Sequence, residues 1–319
     1  MFKNIYLCVL SLLVPIVVCA QSYPSKPIRF VVGFPPGGTN DLVARAIGQK
    51  LTEQMGQQFI IENRGGANTA IASEMFAKTA APDGYTIMLN APGHATNPAM
   101  MKLNFDSMRD FAFITIAAES VNLLVAHPSL PPRTIKELIA FSKARPGEVL
   151  YGSSGVGTTV HLSGALFEYM TGVKWLHVPY KGAGPALIEM LGGQFSLYFG
   201  NMPSVIGYAR QGKLRAIAVT GAKRSQAAMD IPTVAESGVP GYEVTTWYGT
   251  AAPAKTPREI VDRLNSEILR ALKSPDIRAR FKDYGADPIG NTPEQATAYV
   301  QSEINKWGKV IKAAGIKGG

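Results

Sequence analysis

The feature of this sequence that most restricts its fold is an alternation of strand-like and helix-like segments. Residues 28–34 (IRFVVGF) predict a buried strand, a loop of Pro and Gly follows, and residues 42–51 place apolar side chains at helical spacing. A strand-like segment at 59–62, a helix at 70–80 and a strand at 86–89 repeat the pattern. Alternating strands and helices predict parallel βαβ units, so we expect an α/β fold.

A second series of such segments begins with the apolar residues 121–126 (VNLLVA). Further strands are expected at residues 149–151, 176–178, 195–199 and 214–219, with helices at 160–170 and 185–191. A strand-like segment at 245–249 then leads to two more helices, which we expect to rejoin the first series. The chain would form one lobe from residues 21–121 and 250–319 and a second from residues 122–249, with two crossovers between them.

Residues 1–20 predict a cleaved signal peptide. Lys3 supplies a basic start, residues 5–20 form an apolar run, and Val18 and Ala20 fit the small-residue pattern that precedes a cleavage site. A membrane span needs about 20 apolar residues, so the run is short for an anchor. We therefore expect an exported, periplasmic protein.

The composition limits the chemistry that the mature chain can carry. Cys8 and Cys19 both fall in the expected leader, so we predict no disulfide and no cysteine-bound metal. Lipidation of Cys19 is the alternative to plain cleavage, and Val18 before it fits that pattern poorly. The 32 Lys+Arg against 23 Asp+Glu give a formal net charge of +9, which suits an anionic ligand or surface without identifying it. The histidines lack metal-ligand spacing: His94, His127, His161 and His177.

Two glycine-rich loops join a strand to a helix in the same way, one in each lobe. They are residues 34–41 (FPPGGTND) and 151–159 (YGSSGVGTT). Glycine lets the backbone approach a ligand closely, and the helix that follows turns unpaired N–H groups and its positive dipole end toward that ligand. Thr39, Thr158 and Thr159 add hydroxyl donors. Two such loops facing one cleft would bind a carboxylate without a lysine or arginine.

Other interpretations of these loops stay open on the residues alone. The loops are also typical of ordinary βα turns in which Thr and Asn cap helices, and neither carries the fingerprint of a P-loop, a dinucleotide site or a nucleophile elbow. Ser153 or Ser154 with His161 as base would make an exported hydrolase. Asp41, in the first turn of its helix, either favours the dipole or pairs with an amino group of a ligand.

Several segments taken together resemble one protein family. They are PSKPIRFVVGFPPGGTNDLVAR near the start, GSSGVGTTVHLSGALFEYMTG and HVPYKGAGPALIEMLGGQFSLYFGNM in the middle, and IPTVAESGVPGYEVTTWYGTAAPAKTP toward the end. In this order they resemble the Bug family, the periplasmic substrate-binding proteins of tripartite tricarboxylate transporters, across nearly all of the mature chain. The resemblance implies a two-lobed, Venus-flytrap-like receptor of the type II periplasmic-binding-protein kind, with a sheet flanked by helices in each lobe.

The resemblance also implies what the protein binds and with which residues. Members of the family bind small organic carboxylates between their lobes and deliver them to a membrane permease, without catalysis or a cofactor. Carried over by position, the ligand-binding residues are Phe34, Gly37, Gly38, Thr39, Ser153, Gly157, Thr158, Thr159 and Asn201, with Asp41 as a further candidate. We expect a monomeric receptor for a small carboxylate that binds no nucleic acid. A ligand-responsive sensor that docks on a signalling protein is a further alternative.

Overall fold

The computed structural model describes residues 23–313 and 315–316, which form a mixed sheet flanked by helices. The predicted signal peptide, residues 1–20, lies outside the described residues. Among the helices of the described part, none has the length and apolar character needed to cross a membrane.

The described residues contain ten strands. In chain order they are β1 (Ile28–Val32), β2 (Phe59–Asn63), β3 (Thr86–Asn90), β4 (Phe111–Ala126), β5 (Leu150–Ser153), β6 (Leu176–Pro179), β7 (Leu197–Asn201), β8 (Arg215–Val219), β9 (Thr245–Pro253) and β10 (Ala286–Pro288). Eight of them follow one another across the sheet in the order β2-β1-β3-β9-β4-β7-β5-β6. β8 and β10 also pair with β4, so β4 has more neighbours than any other strand.

β4 is 16 residues long and changes partners part-way along. Its first part lies beside β9, in antiparallel register from the pair Phe111–Pro253 to the pair Val121–Thr245. From Asn122 onward the same strand pairs with β7 and β8 instead. One strand thus links two parts of the sheet. The division of the chain into lobes at residues 121 and 249 stays a prediction.

The predicted parallel units are present, within a sheet that is mixed as a whole. β1 is parallel to β2 and β3, and β5 is parallel to β6 and β7. β9 is antiparallel to β3 and β4, and β4 is antiparallel to β7, β8 and β10. β4 and β9 are antiparallel to their neighbours, and they are the two strands in which the chain crosses between the parts of the sheet.

Ten α-helices occur in the described residues. They are α1 (Thr39–Met55), α2 (Ala70–Thr79), α3 (Gly93–Met100), α4 (Ile135–Ala144), α5 (Thr159–Thr171), α6 (Ala183–Leu191), α7 (Met202–Arg210), α8 (Arg258–Lys273), α9 (Pro275–Tyr284) and α10 (Pro293–Ala313). A short 3-10 helix, Ala67–Thr69, precedes α2. α1 carries the apolar stripe that its sequence predicts, since Val43, Ile47 and Leu51 are buried in one cluster with Phe30 of β1.

Several helices begin shortly after a strand that has parallel neighbours, and five of them concern the site: α1 follows β1, α3 follows β3, and α5, α6 and α7 follow β5, β6 and β7. Within each part of the sheet, parallel strands bring their carboxyl ends to one edge, where ligands bind in open α/β sheets. The helix starts therefore gather at these edges, between the two parts of the sheet.

Candidate functional site

A narrow chamber lies where these helix starts meet, and we call it the inner chamber. One side is lined by residues 34–36, 38–40, 68 and 91–93, and the other by residues 154, 158–159, 182–185, 201 and 246. The chamber has a cavity volume of about 40 Å³. That is enough for about three water molecules, or for one small polar group.

Helix starts form much of the wall of the inner chamber. α1 begins after Gly38, α3 after Pro92, α5 after Thr158, α6 after Gly182 and α7 after Asn201, and all five of these residues line the chamber. Of the five, only α5 has a side-chain hydrogen bond capping its start. Each helix start carries unpaired N–H groups and roughly half a positive charge. Among the described lining residues there is no Asp, Glu, Lys or Arg, so the positive field comes from the backbone.

The first glycine-rich loop is fastened by Asp41, a predicted ligand-binding residue. Its carboxylate accepts hydrogen bonds from Gly37 N at 3.0 Å and from Arg45 Nε at 2.9 Å. Burial by itself would raise the pKa of Asp41, but the bonds from Arg45 and Gly37 hold that pKa below its ordinary value. Asp41 thus stays ionised and fixes the loop, and it is not among the residues that line the inner chamber.

The second glycine-rich loop is fastened by two histidines. Ser153 Oγ lies 2.7 Å from His177 Nε2, and Gly157 N donates to His161 Nδ1 at 3.1 Å. Thr158 Oγ1 caps α5 by accepting a hydrogen bond from His161 N at 3.3 Å. These bonds set the path of the loop, and of the residues that make them only Thr158 lines the inner chamber.

Among the described residues, neither Ser153 nor Ser154 forms the hydrogen bond to His161 that a hydrolase would need. His161 Nδ1 is occupied by Gly157 N, and its ring stacks on that of His177 with the centroids 4.0 Å apart. Burial, reinforced by His177, lowers the pKa of His161 to about 3, and burial lowers the pKa of His177 to about 4. Ser153 is fully buried and does not line the inner chamber.

Asn201 belongs to a buried polar network beside the inner chamber. Its Nδ2 donates to Asn122 Oδ1 at 2.6 Å and to Thr246 Oγ1 at 2.8 Å. Thr159 Oγ1 lies 2.6 Å from Thr246 Oγ1, and Asn122 Nδ2 donates to Ser163 Oγ at 2.9 Å. Asn122 is the residue at which β4 changes partners, and Thr246 is the second residue of β9. The network therefore joins the chamber to the two strands that link the parts of the sheet.

Contacts across the chamber hold its two sides together. Thr96 Oγ1 of α3 donates to Gly157 O at 3.0 Å, and Asn68 Nδ2 donates to Thr96 Oγ1 at 3.1 Å. Gly157 is so close to α3 that a Cβ there would lie 2.5 Å from Met100 Sδ. The two sides of the chamber are therefore in contact in the described structure.

Six of the ten predicted site residues line the inner chamber, and the other four do not. Those that line the inner chamber are Phe34, Gly38, Thr39, Thr158, Thr159 and Asn201. Those that do not are Gly37, Asp41, Ser153 and Gly157. These four shape the two loops, and for Gly37 and Gly157 the reason is a positive φ of 83° and 78° that favours glycine.

Sequence reasoning missed several lining residues. They are Pro35, Pro36, Asn40, Asn68, Ser154, Thr246 and the segments 91–93 and 182–185. The two segments carry Pro and Gly directly after β3 and β6, which is the same signal that identified the predicted loops. Asn68 and Thr246 have no such local signal, because distant parts of the chain bring them to the site.

The sequence matches the family described as "Tripartite tricarboxylate transporter family receptor" over residues 43–316. The chain belongs to this family. A related protein, Protein BugT of Bordetella pertussis (strain Tohama I), is 36% identical to the receptor over 303 residues, which cover 94% of this chain and 93% of that protein.

Solved structures are similar to the receptor over almost its whole length. An R. palustris protein solved with adipate has a TM-score of 0.89 and 39% identity, covering 92% of this chain and 99% of that chain. The periplasmic binding protein BugD gives 0.88 and 34%, covering 92% and 99%. MatC of Rhodopseudomonas palustris, solved with bound malate, gives 0.83 and 32%, covering 91% and 100%. The predicted resemblance to the Bug family and the predicted fold class are confirmed.

Proposed function

We propose that this receptor is exported to the periplasm, captures a small organic carboxylate in the inner chamber and presents it to a membrane permease. The observation that carries the proposal is the convergence of five helix starts on a chamber whose described lining residues include no charged side chain. Helix N-termini attract anions through their N–H groups and dipoles. The small volume of the chamber matches one carboxylate group.

Backbone donors from both sides of the chamber would hold the carboxylate oxygens. The starts of α1 and α3 supply N–H groups on one side, and those of α5, α6 and α7 supply them on the other. Each hydrogen bond to a charged group contributes on the order of 1.5–3 kcal/mol. Because the donors belong to the backbone of packed helices, little conformational entropy is lost when they bind.

The ligands of similar proteins favour a carboxylate over the other anions that helix starts can hold. Adipate is bound in one similar structure and malate in another. Both are small dicarboxylates, and both proteins cover more than nine tenths of this chain. Phosphate or sulfate would meet the same dipoles, so a comparison of these anions belongs in any test.

Closure would couple binding to transport. The donors of the two sides face one ligand only when the sides are together, as they are where Thr96 donates to Gly157 O. A ligand that contacts both sides binds the closed form better and shifts the population toward it. The permease would then recognise the closed receptor.

We infer that the receptor binds its ligand without breaking a bond. Ser153 is buried behind the loop and held against His177, so its hydroxyl does not face the chamber. If the protein were a hydrolase, NMR would show a carboxylate ester being consumed, and Ser153→Ala with Ser154→Ala would abolish the turnover. We expect adipate and simple esters to stay unchanged on incubation with the wild-type protein.

Isothermal titration calorimetry of the mature protein tests the proposal. Adipate and malate should bind, whereas 1,6-hexanediol, an uncharged molecule with the same carbon chain as adipate, should give no heat of binding. Phosphate and sulfate serve as the competing anions. Binding of the diol as tight as that of adipate, or binding of phosphate alone, would contradict the proposal.

A further inference from the structure

A second, larger chamber opens from the inner chamber, and we call it the outer chamber. The two share Phe34, Pro35, Pro36, Asn68, Ser154 and Gly182 in their walls. The outer chamber has a cavity volume of about 770 Å³, and the inner chamber has one of about 40 Å³. The outer chamber is therefore the direction in which a ligand can extend.

This difference in size decides how a ligand must lie. The inner chamber accommodates the equivalent of about three water molecules, which is one carboxylate group and little more. If one carboxylate of a ligand lies in the inner chamber, the rest of its carbon chain must extend past the shared residues into the outer chamber. The residues of the outer chamber then contact whatever distinguishes one carboxylate from another.

The outer chamber has an apolar wall with one charged residue. Met100, Met101, Val156 and Tyr180 line it, together with the shared prolines. Lys181 is the only Asp, Glu, Lys or Arg among the described residues that line either chamber. An apolar wall suits a methylene chain, and a lysine ammonium suits an anionic group at the end of that chain.

The loop that carries Lys181 is fixed to the second glycine-rich loop. Tyr180 N donates to Ser153 O at 3.0 Å, and Gly182 N donates to Ser154 O at 3.1 Å. The backbone on both sides of Lys181 is thus tied to the wall of the site, while its side chain is exposed. Within the described part of the chain, no carboxylate forms an ion pair with Lys181.

We propose that Lys181 and the outer chamber form a second subsite, in which the Lys181 ammonium pairs with the far carboxylate of an elongated dicarboxylate. The inference rests on the proposed function, because it takes the first carboxylate to lie in the inner chamber. Lys181 then determines specificity: it separates dicarboxylates from monocarboxylates of the same chain length. The apolar wall of the outer chamber contacts the methylene groups between the two ends.

Calorimetry with adipate and hexanoate tests the subsite, since both have six carbons and only adipate has a second carboxylate. The wild-type receptor should bind adipate about tenfold more tightly than hexanoate, as one charge-assisted contact would provide. Lys181→Met keeps much of the side-chain length and removes the charge. It should weaken adipate binding about tenfold and leave hexanoate binding unchanged, whereas Lys181→Arg should retain the preference.

Lys213→Met is the matched control, because Lys213 is an exposed lysine that lines neither chamber. It removes the same charge and should leave both affinities unchanged. Equal weakening of adipate and hexanoate by Lys181→Met, or no preference for adipate in the wild type, would overturn the subsite while leaving carboxylate binding intact. Absence of binding of both acids to the wild type would overturn the proposed function as well.

Discussion

At Gly157 the backbone leaves no room for a side chain while the two sides of the chamber are in contact. Its φ is +78°, and a Cβ would lie 2.5 Å from Met100 Sδ and 3.1 Å from Asn68 Nδ2. Gly157→Ala should push Met100 away from the loop and disfavour the closed conformation. We expect the affinity for adipate, measured by calorimetry, to fall about tenfold, which corresponds to about 1.4 kcal/mol.

Gly147 provides the control for the backbone strain in that variant. Its φ is +79°, and no atom lies within 4 Å of a Cβ built there. Alanine at either glycine should lower the free energy of unfolding by about 1 kcal/mol. Only Gly157→Ala should weaken adipate binding, and equal affinities in the two variants would show that the contact with Met100 does not matter.

His161 makes the stability of the receptor sensitive to acid. Burial above all, with His177 beside it, lowers the pKa of His161 from 6.5 to about 3, and its Nδ1 accepts the hydrogen bond from Gly157 N. Because the pKa is lower in the folded state, the unfolded chain takes up the proton first as the pH falls. This contribution to stability is present above pH 6.5 and is lost progressively between pH 6.5 and about 3.

His161→Asn tests this pH dependence, because asparagine offers an acceptor oxygen and does not titrate. Between pH 7.5 and pH 5, the wild type should lose up to about 2 kcal/mol more unfolding free energy than the variant, as measured by urea denaturation. Burial lowers the pKa values of His94 and His177 to about 4, so the variant keeps the acid sensitivity that these two histidines supply. Identical losses in the two proteins would mean that His161 is protonated in the folded state.

At the scale of elements, α3 ties the two sides of the chamber together through one hydroxyl. Thr96 is fully buried, donates to Gly157 O and accepts from Asn68 Nδ2. Thr96→Val keeps the volume and removes both bonds, so the affinity for adipate should fall about fivefold, as expected for about 1 kcal/mol of net hydrogen bonding. Thr96→Ser keeps the hydroxyl and should bind adipate like the wild type. A valine variant with wild-type affinity would exclude this contact as part of closure.

α3 also illustrates which elements the sequence predicts. The stripe of α1 and the short strands around it follow from local periodicity. α3 contains Pro98 in its interior and α7 contains Gly207, residues that are typical of turns and loops. Pro203 of α7 lies in the first turn, where proline is favoured. Both segments are nevertheless helical. Packing of α3 against α10 illustrates how tertiary contacts override local preference.

β4 and the chamber lining show a further limit of prediction from sequence. β4 is far longer than the usual five or six residues of a strand, and periodicity does not reveal that its two parts serve different neighbours. The loops at 34–41 and 151–159 were predictable because glycine and threonine mark them locally. That Ser154 rather than Ser153 lines the chamber depends on how the loop turns after β5.

At the scale of the whole molecule, closure and binding involve the same strands. β4 and β9 link the two parts of the sheet, and Asn122 and Thr246 of these strands bond Asn201 beside the inner chamber. An opening that separated the two parts of the sheet would change the backbone of β4 and β9 near these residues. A ligand held in the chamber therefore lies next to the segments whose conformation it would stabilise.

Binding should both compact and stabilise the receptor. At an adipate concentration 100 times the Kd, linkage predicts a gain of about 2.7 kcal/mol in unfolding free energy. Small-angle X-ray scattering should give a smaller radius of gyration with adipate than without it, because adipate adds bonds to both sides of the chamber. Thr96→Val should be more expanded than the wild type without adipate and equally compact at saturation. A rise in Tm with no change in the radius of gyration would mean that adipate binds without closing the chamber.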